Sequence, residues 1–309
     1  MEENKTNMEK DSELDNLPCN LCGADNFKII FNRPYNAEIS NDLSIFVATT
    51  DEFNNYGRVV KCKNCGLVYT NPRPPKPLLE EGYTTGKDEC YLSESSSRSI
   101  NAHLSLNTIK RFVGGGKLLE IGSSVGYFLN AARLDFDITG FEPSKWACDI
   151  AKKRFKLDIF NSPFKTEYLP SENFDVISMV DVIEHLTDPK DTLKKMSGII
   201  KPGGLLYIVT PDINGLTAKI LRSYWWGLRP SHICYFTPKT LGKMLKELGF
   251  KVVLKKSYGR IFSLNYWASR LKNYPAFLRL PIEKLIDVFD LKDKLVYLDT
   301  RDTMEICAI

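Results

Sequence analysis

Four cysteines stand in two units of one form, CNLCG (Cys19, Cys22) and CKNCG (Cys62, Cys65). Each unit can present two thiolates to one tetrahedral ion, and the trailing Gly23 or Gly66 permits the turn that aims backbone amides at the sulfurs. A lone C-x-x-C also suits a redox pair. A second copy with the same glycine points instead to one four-cysteine structural zinc site, with iron as the possible substitute.

A second constellation begins at LLEIGSSVGYFL, residues 118–129. An apolar run ends in Glu120, turns on Gly122 and Gly126, and resumes with helical spacing. Such a strand, turn and helix set backbone amides and a helix N-terminus beside a crevice at the carboxyl edge of a sheet. The G-x-G-x-x-G of dinucleotide sites and the G-K-[ST] of phosphate loops are both missing. Glu120 pointing into the turn would repel pyrophosphate but accept hydrogen bonds from a cationic amino-acid group, which favours an adenosyl cofactor without phosphate. Further on, Glu142 in GFEPS is placed to accept both hydroxyls of a ribose. Taken singly, Glu120 reads as a solvated strand end and Glu142 as a helix-start charge before Ser144. Together at this spacing they favour the cofactor.

Proton acceptors are few, since the chain holds three histidines. His103 precedes the sheet and reads as a surface or packing residue. His185 follows Glu184 in DVIEHLTDP, where a loop leaves a strand at the crevice, and is either a base or part of a structural clasp. His232, in RPSHICYFT, lies in a later connection downstream of YWWGLRP, and is the favoured general base. Tyr224, Trp225 and Trp226 can stack a ring or sugar face, or simply anchor the loop.

The elements that must hold these residues follow from the pattern. The runs KLLEIG, DITGFE, LDIF, FDVISMV and GLLYIVTP alternate with helical stretches such as SKWACDIAKKRF and DPKDTLKKMSGII, the signature of a parallel, doubly wound α/β sheet. Residues 17–75 read as a small zinc-ribbon-like domain with strands FKIIF and GRVVK, too small to hold together without metal. NPRPPKP marks its extended exit. Residues 76–113 read as a helical linker broken at SESSSRS, and 114–309 as the main domain with a helical insertion at about 261–300. There Tyr266, Trp267, Phe277, Leu280 and Ile286 interleave with Arg270, Lys272 and Arg279. A basic aromatic helix can lie on a membrane surface, cap a substrate pocket or pack on the sheet edge.

The whole-chain numbers narrow the function. Of 309 residues, 42 are basic and 38 acidic, a net charge of +4 that gives no strong tendency to bind polyanions. The first sixteen residues are charged and almost devoid of apolar groups, unlike a secretory signal, and read as a disordered tail. No apolar run reaches the ~18 to 20 residues of a membrane span. A cytoplasmic protein with reduced thiols is therefore expected.

These motifs together resemble the class I S-adenosylmethionine-dependent methyltransferases, over roughly residues 100–258 and the last strand. The likeness rests on LLEIGSSVGYFL, GFEPS, FDVISMVDVIEHLTDP, LKKMSGIIKPGGLLYIVTP and HICYFTPKTL. It is greatest to the ubiquinone-pathway O-methyltransferases and to bacterial sugar and small-molecule methyltransferases, several of which carry an N-terminal cysteine-knuckle domain. The resemblance implies a Rossmann-like, mostly parallel sheet of seven strands. It places Glu120, Gly122, Ser123 and Gly126 at the methionine end of the cofactor, Glu142 at the ribose, and Ser162 and Phe164 beside the adenine. Val180 and Asp181 would then sit near the sulfonium and the acceptor, and in part of the related family the Glu184–His185 pair helps bind a divalent ion. One departure stands out: Ser124 occupies the middle glycine of the family turn, where a serine fits with φ below zero.

Three functions compete. The leading one is O-methylation of a small molecule or glycan precursor. An RNA methyltransferase ranks behind it, because Lys28, Arg33, Arg58, Lys61 and Lys63 of the ribbon are balanced by Asp25, Glu38, Asp42, Asp51 and Glu52. A cofactor-binding protein without turnover is the third.

Overall fold

Two sheets and the loops between them bring the candidate residues together. The computed structural model describes residues 14–33, 56–169, 173–272 and 274–309, so residues 1–13 of the expected tail lie outside the described residues. Within the rest of that tail, Asp15 exchanges backbone hydrogen bonds with Arg73.

The first sheet is built around the cysteines. Strands β1 (Phe27–Phe31), β2 (Val59–Cys62) and β3 (Val68–Thr70) pair antiparallel, as the short apolar runs require. Each knuckle closes alike: the Gly23 amide donates to the Cys19 carbonyl at 2.8 Å and the Gly66 amide to the Cys62 carbonyl at 3.1 Å. Both glycines have positive φ, 72° and 83°. The four sulfurs lie within 4.8 Å of one another, with Cys19 and Cys65 at 3.4 Å and Cys22 and Cys62 at 3.6 Å. An ion with bonds of about 2.3 Å to four sulfurs needs edges of about 3.8 Å. The quartet fits a tetrahedral metal.

A fourth strand comes from far along the chain. β8 (Cys234–Tyr235) pairs with β3, Val68 facing Tyr235. The Thr70 amide donates to the Ile233 carbonyl and the Ile233 amide to the Glu184 carbonyl, both at 3.0 Å. The ribbon, expected as a unit of its own, thus shares a sheet with the main body. It also shares a core, because Cys19, Leu21, Val60 and Leu67 pack in one cluster with Leu119, Ile177 and Phe236. Three strands this short bury too little apolar surface to stand alone.

The second sheet has the order β5-β4-β6-β7-β12-β9. Strands β4 (Gly116–Ile121), β5 (Phe136–Phe141), β6 (Phe174–Val180) and β7 (Ile200–Pro211) run parallel. β12 (Thr303–Ala308) is antiparallel to both its neighbours, β7 and β9 (Val252–Ser257). Side chains alternate between the faces. Leu118, Val176 and Leu205 meet α3 (Ser95–Lys110), α4 (Tyr127–Ala132) and α5 (Lys145–Phe155). Leu119, Ile177 and Leu206 meet α6 (Pro189–Ser197), α8 (Pro238–Glu247) and the ribbon.

The sheet has six strands rather than the expected seven. LDIF contributes one bridge, Phe160 beside Phe141. Leu157 is held by the end of α5, its amide on the Ala151 carbonyl, and Pro163 can donate nothing to a ladder, so only a short stretch between them is free to pair.

Two other expectations change. Before the sheet come α1 (Lys76–Thr85) and α2 (Glu89–Ser93), and the serine run expected as a break is helical from Ser95, leaving Glu94 alone between α2 and α3. The buried Glu94 carboxylate accepts from the Ser97 hydroxyl at 2.7 Å, and the serines lie in the first turn of the helix instead of ending one. The insertion is not purely helical either. β10 (Arg260–Ser263) and β11 (Leu295–Leu298) form an antiparallel ladder, and α9 (Leu264–Ser269) and α10 (Ala276–Val288) lie between them. Between β7 and β8 lies the short helix α7 (Leu216–Leu221). Among the described residues no helix is long and apolar enough to cross a membrane.

The shared sheet has a measurable consequence. Cys62→Ser is expected to lower stability by several kcal/mol, in the manner of metal-dependent folds, and hydrogen exchange is expected to quicken at Ile233 as well as at Thr70. Exchange confined to residues 17–70 would show that the ribbon and the later loop are uncoupled.

Candidate active site

The carboxyl ends of β4, β5 and β6 open into a cavity of about 1090 Å³. That is the upper end of the ~300–1,000 Å³ typical of small-molecule sites, room for two ligands side by side. The insertion caps it, with Tyr266, Trp267, Ile282 and Ile286 on the wall. The outward side of α10 leaves Phe277 and Val288 uncovered.

Glu120 ends in this cavity. Its side chain is buried and one carboxylate oxygen, Oε2, has no hydrogen-bond partner. Burial, and secondarily the charge of Glu142, raises its pKa well above the ordinary carboxylate value. An unpaired buried carboxyl group is costly and calls for a cationic partner. Glu142 is held differently. Its Oε2 accepts from the Ser124 amide at 2.7 Å and its Oε1 from the Ser144 amide at 2.8 Å. Burial pushes it up to about 7 against those two hydrogen bonds, which lower it. Each oxygen keeps a second lone-pair site for a diol. The two carboxylates therefore fit the amino-acid and ribose ends of an adenosyl cofactor.

The turn itself works by shape. The amides of Gly122 and Ser123 both donate to the Phe141 carbonyl, at 2.8 and 3.0 Å, and that of Ser124 to Glu142. The amides expected to face a ligand are thus spent on the neighbouring strand and its acid. Gly122 has φ 75°, and a Cβ there would lie 2.4 Å from Val182 Cγ2. Ser124 has φ 48°, the left-handed region, and not the negative value expected for it. Its short amide bond to Glu142 accompanies that conformation.

The remaining cofactor candidates divide. Ser123, Phe164 and Val180 line the cavity. Gly126 does not: with φ 86° it starts α4, and a Cβ there would meet Leu157 and Ala151, so it serves the packing of α5. Ser162 is also off the wall, its hydroxyl donating to the Pro163 carbonyl at 2.6 Å.

Of the catalytic candidates, Asp181 directly follows β6 with φ 55°, and its carboxylate is paired with the Arg260 guanidinium at 2.6 Å. This makes it a charged wall and not a free base. Nothing in the sequence pattern had marked Arg260. His185 and His232 meet edge to face, 4.7 Å between ring centres. Nδ1 of His185 lies 2.8 Å from the Ser231 carbonyl, and Nδ1 of His232 lies 2.8 Å from the Gly227 carbonyl. A carbonyl only accepts, so both Nδ1 atoms carry the proton and both Nε2 atoms offer a lone pair. The Tyr83 hydroxyl, 3.0 Å from His185 Nδ1 and 2.9 Å from the Ser231 carbonyl, steadies the pair and is another contributor with no sequence signal. Burial lowers the His185 pKa to about 4. His232 is lowered well below its ordinary value by burial and then by His185 and Arg229.

Glu184 completes a cluster whose ligand atoms lie within 4.8 Å of one another. Its Oε2 accepts from the Thr210 hydroxyl at 2.9 Å while Oε1 has no partner. Burial first, and then Asp181, pushes it up to about 8. Two neutral imidazoles and a carboxyl group can relay a proton or hold a divalent ion. His103 is exposed, as expected.

Beside the pair, Trp226 and Arg229 line the cavity, the guanidinium 5.5 Å from the ring centre. Both tryptophans of the YWW segment donate their ring N–H to Asp302 Oδ2, Trp225 at 2.7 Å and Trp226 at 2.6 Å. The buried Asp302 precedes β12, so the wall is tied to the central sheet.

Known proteins match along these same segments. Residues 97–255 match the family described as "Methyltransferase domain". A highly reducing polyketide synthase, pkhB, of Emericella nidulans is 28% identical over 193 residues, 57% of this chain and 7% of that protein. A ubiquinone biosynthesis O-methyltransferase of Caulobacter vibrioides is 36% identical over 104 residues, 31% of this chain and 41% of that protein. This chain thus spans less than half of the length of either relative. Among solved structures, a SAM-dependent methyltransferase of Archaeoglobus fulgidus covers 72% of this chain and 99% of its own, with TM-score 0.47 and 19% identity.

The histidine assignment is open to a direct check. Nuclear magnetic resonance of the imidazoles is expected to show His185 titrating near pH 4, His232 neutral throughout the range above it, and both rings protonated on Nδ1. An imidazolium at either position at pH 6 would contradict it.

Proposed function

We propose that this chain, which belongs to the methyltransferase-domain family, transfers a methyl group from S-adenosylmethionine to an oxygen of a small molecule or glycan precursor. The observation that carries the reading is the orphaned, buried Oε2 of Glu120 at the end of β4. It is the partner that the ammonium of a methionine group lacks. Glu142 then accepts the ribose hydroxyls, and Phe141 and Phe164 supply apolar surface for the adenine side.

When bound, the cofactor supplies an electrophilic methyl on a sulfonium, and this chain's residues have to align the acceptor and take its proton. His232 Nε2 is the proton acceptor, its tautomer fixed by the Gly227 carbonyl. His185 packs against it, oriented by Ser231 and Tyr83. The wall from Trp226 to Trp267 seats the acceptor's ring or sugar face and excludes water. Zinc in the cysteine quartet is structural, because the sulfurs provide all four ligands and no open position.

A second reading of the histidine pair has its own support, the proximity of Glu184, His185 and His232. In that reading the three hold a divalent ion that polarises the acceptor oxygen. A chelator separates the two, since it abolishes wild-type turnover only if the three residues hold an ion, and calorimetry then shows divalent-ion binding by wild type that Glu184→Gln loses.

The test is calorimetric titration of S-adenosylmethionine and S-adenosylhomocysteine, followed by turnover on phenols and sugar nucleotides. Glu120→Gln is expected to weaken cofactor binding tenfold or more, about 1.4 kcal/mol. Wild-type affinity is expected to rise with pH through about 7, because Glu142 titrates near 7 and accepts the ribose hydroxyls best when ionised. Glu120, held well above the ordinary carboxylate value by burial, adds to the rise in the same direction, since the ammonium binds its ionised form. Binding then releases protons. His232→Ala is expected to cut kcat by ~10²–10⁴ with the S-adenosylhomocysteine Kd unchanged. A wild type that binds neither compound sinks the proposal; binding with no turnover on any acceptor leaves a cofactor-binding protein.

A further inference from the structure

A second concavity, about 580 Å³, lies between the ribbon and the segment that joins β7 to α8. Five cations line it: Lys61 on β2, Lys219 on α7, Arg222, Lys239 at the start of α8, and Lys255 on β9. Among the described residues no carboxylate is on its wall, although the chain as a whole carries 42 basic and 38 acidic residues. All five are exposed, and among the described residues none makes a salt bridge. Among the described residues, Asp212 interacts electrostatically with Lys219. Five like charges facing one groove repel each other, and an anion relieves that repulsion.

The rest of the wall narrows the class of anion. Ile30, Phe31 and Ile213 give it an apolar side, Phe31 supplying an aromatic ring, with the buried Trp225 and Val68 packed beneath. The volume is that of a small-molecule site and not of an extended track. Charge sufficient for several phosphate oxygens, next to an apolar and aromatic surface, is the combination that recognises a nucleoside polyphosphate. We propose that this groove is a binding site for a nucleoside diphosphate or triphosphate, separate from the cofactor crevice.

The site borders the acceptor cavity. Across α7 and the tryptophans, Thr217, Leu221 and Trp226 face the cavity, while Ala218, Lys219, Arg222 and Trp225 face the groove. A nucleotide seated there touches the back of the acceptor wall. The groove is independent of the methyltransferase reading, and only the blocking ligand in its test rests on that reading.

The experiment uses the full chain saturated with S-adenosylhomocysteine, so that the adenosine of the probe has no access to the cofactor crevice. ADP is titrated by calorimetry and by tryptophan fluorescence, with wild type and the surface variant Lys219→Ala, Lys239→Ala, Lys255→Ala. The expected result is saturable micromolar binding by wild type, a fluorescence change, and at least tenfold weaker binding by the variant, with S-adenosylhomocysteine affinity the same in both. No saturable binding by wild type overturns the proposal, as does equal binding by the variant. If a single-stranded RNA oligomer binds with steep salt dependence while ADP does not, the groove is a polyanion surface and the nucleotide site is refuted.

Discussion

The pairing of β3 with β8 is the joint on which the candidate active site depends. β3 is fixed at one end by the Cys62 and Cys65 knuckle, and its other end hydrogen-bonds the residue after His232. From Ile233 the connection passes to the Glu184 carbonyl, and from Ser231 to His185 and Tyr83. The Arg73 guanidinium and the Asn20 amide both donate to the Thr187 carbonyl, at 2.8 and 3.2 Å, so the loop after β6 is gripped by the ribbon as well. Loops that carry reactive groups are ordinarily positioned by the scaffold beneath them. Here part of the scaffold is a separate stretch of chain held closed by four sulfurs.

Electrostatics in the crevice follow from burial more than from charge pairing. Glu120, Glu142 and Glu184 are all pushed toward their neutral forms and the two histidines are pushed away from theirs being charged, each with desolvation as the first cause. The exception is Asp181, which Arg260 neutralises directly. A ligand bearing its own positive charge suits such a site, since it restores the ionised form of the acid it meets. An anionic ligand at this end of the crevice would find Glu120 and Glu142 in its way.

Much of this was legible in the sequence where a local rule decides the outcome. The paired knuckles announce themselves by spacing, and the alternation of apolar runs with helices gives the parallel strands in order. Glu120 and Glu142 follow from their places at strand ends. What could not be read depends on distant partners. LDIF has the composition of a strand, yet its neighbours at Leu157 and Pro163 leave it one bridge. The serine run has the composition of a break, yet Glu94 and the starting turn of α3 absorb it. Arg260, Tyr83 and Asp302 reach the site from separate elements, and no spacing within 309 residues links them to the residues they hold. Ser124 shows the opposite limit. Its departure from glycine was visible, but the sign of its φ was not, and the bond that accompanies it comes from Glu142 at the end of the neighbouring strand.

The close approach of Gly122 to Val182 binds two turns from different strands into one history. Where a single extra carbon on one side would fall 2.4 Å from a methyl on the other, neither position drifts alone. A lineage that acquires alanine at 122 has to surrender bulk at 182 in the same interval or lose the fit of both turns. Covariation between these two sites, with glycine and valine as one permitted combination among few, is the trace such a constraint leaves in a family of sequences.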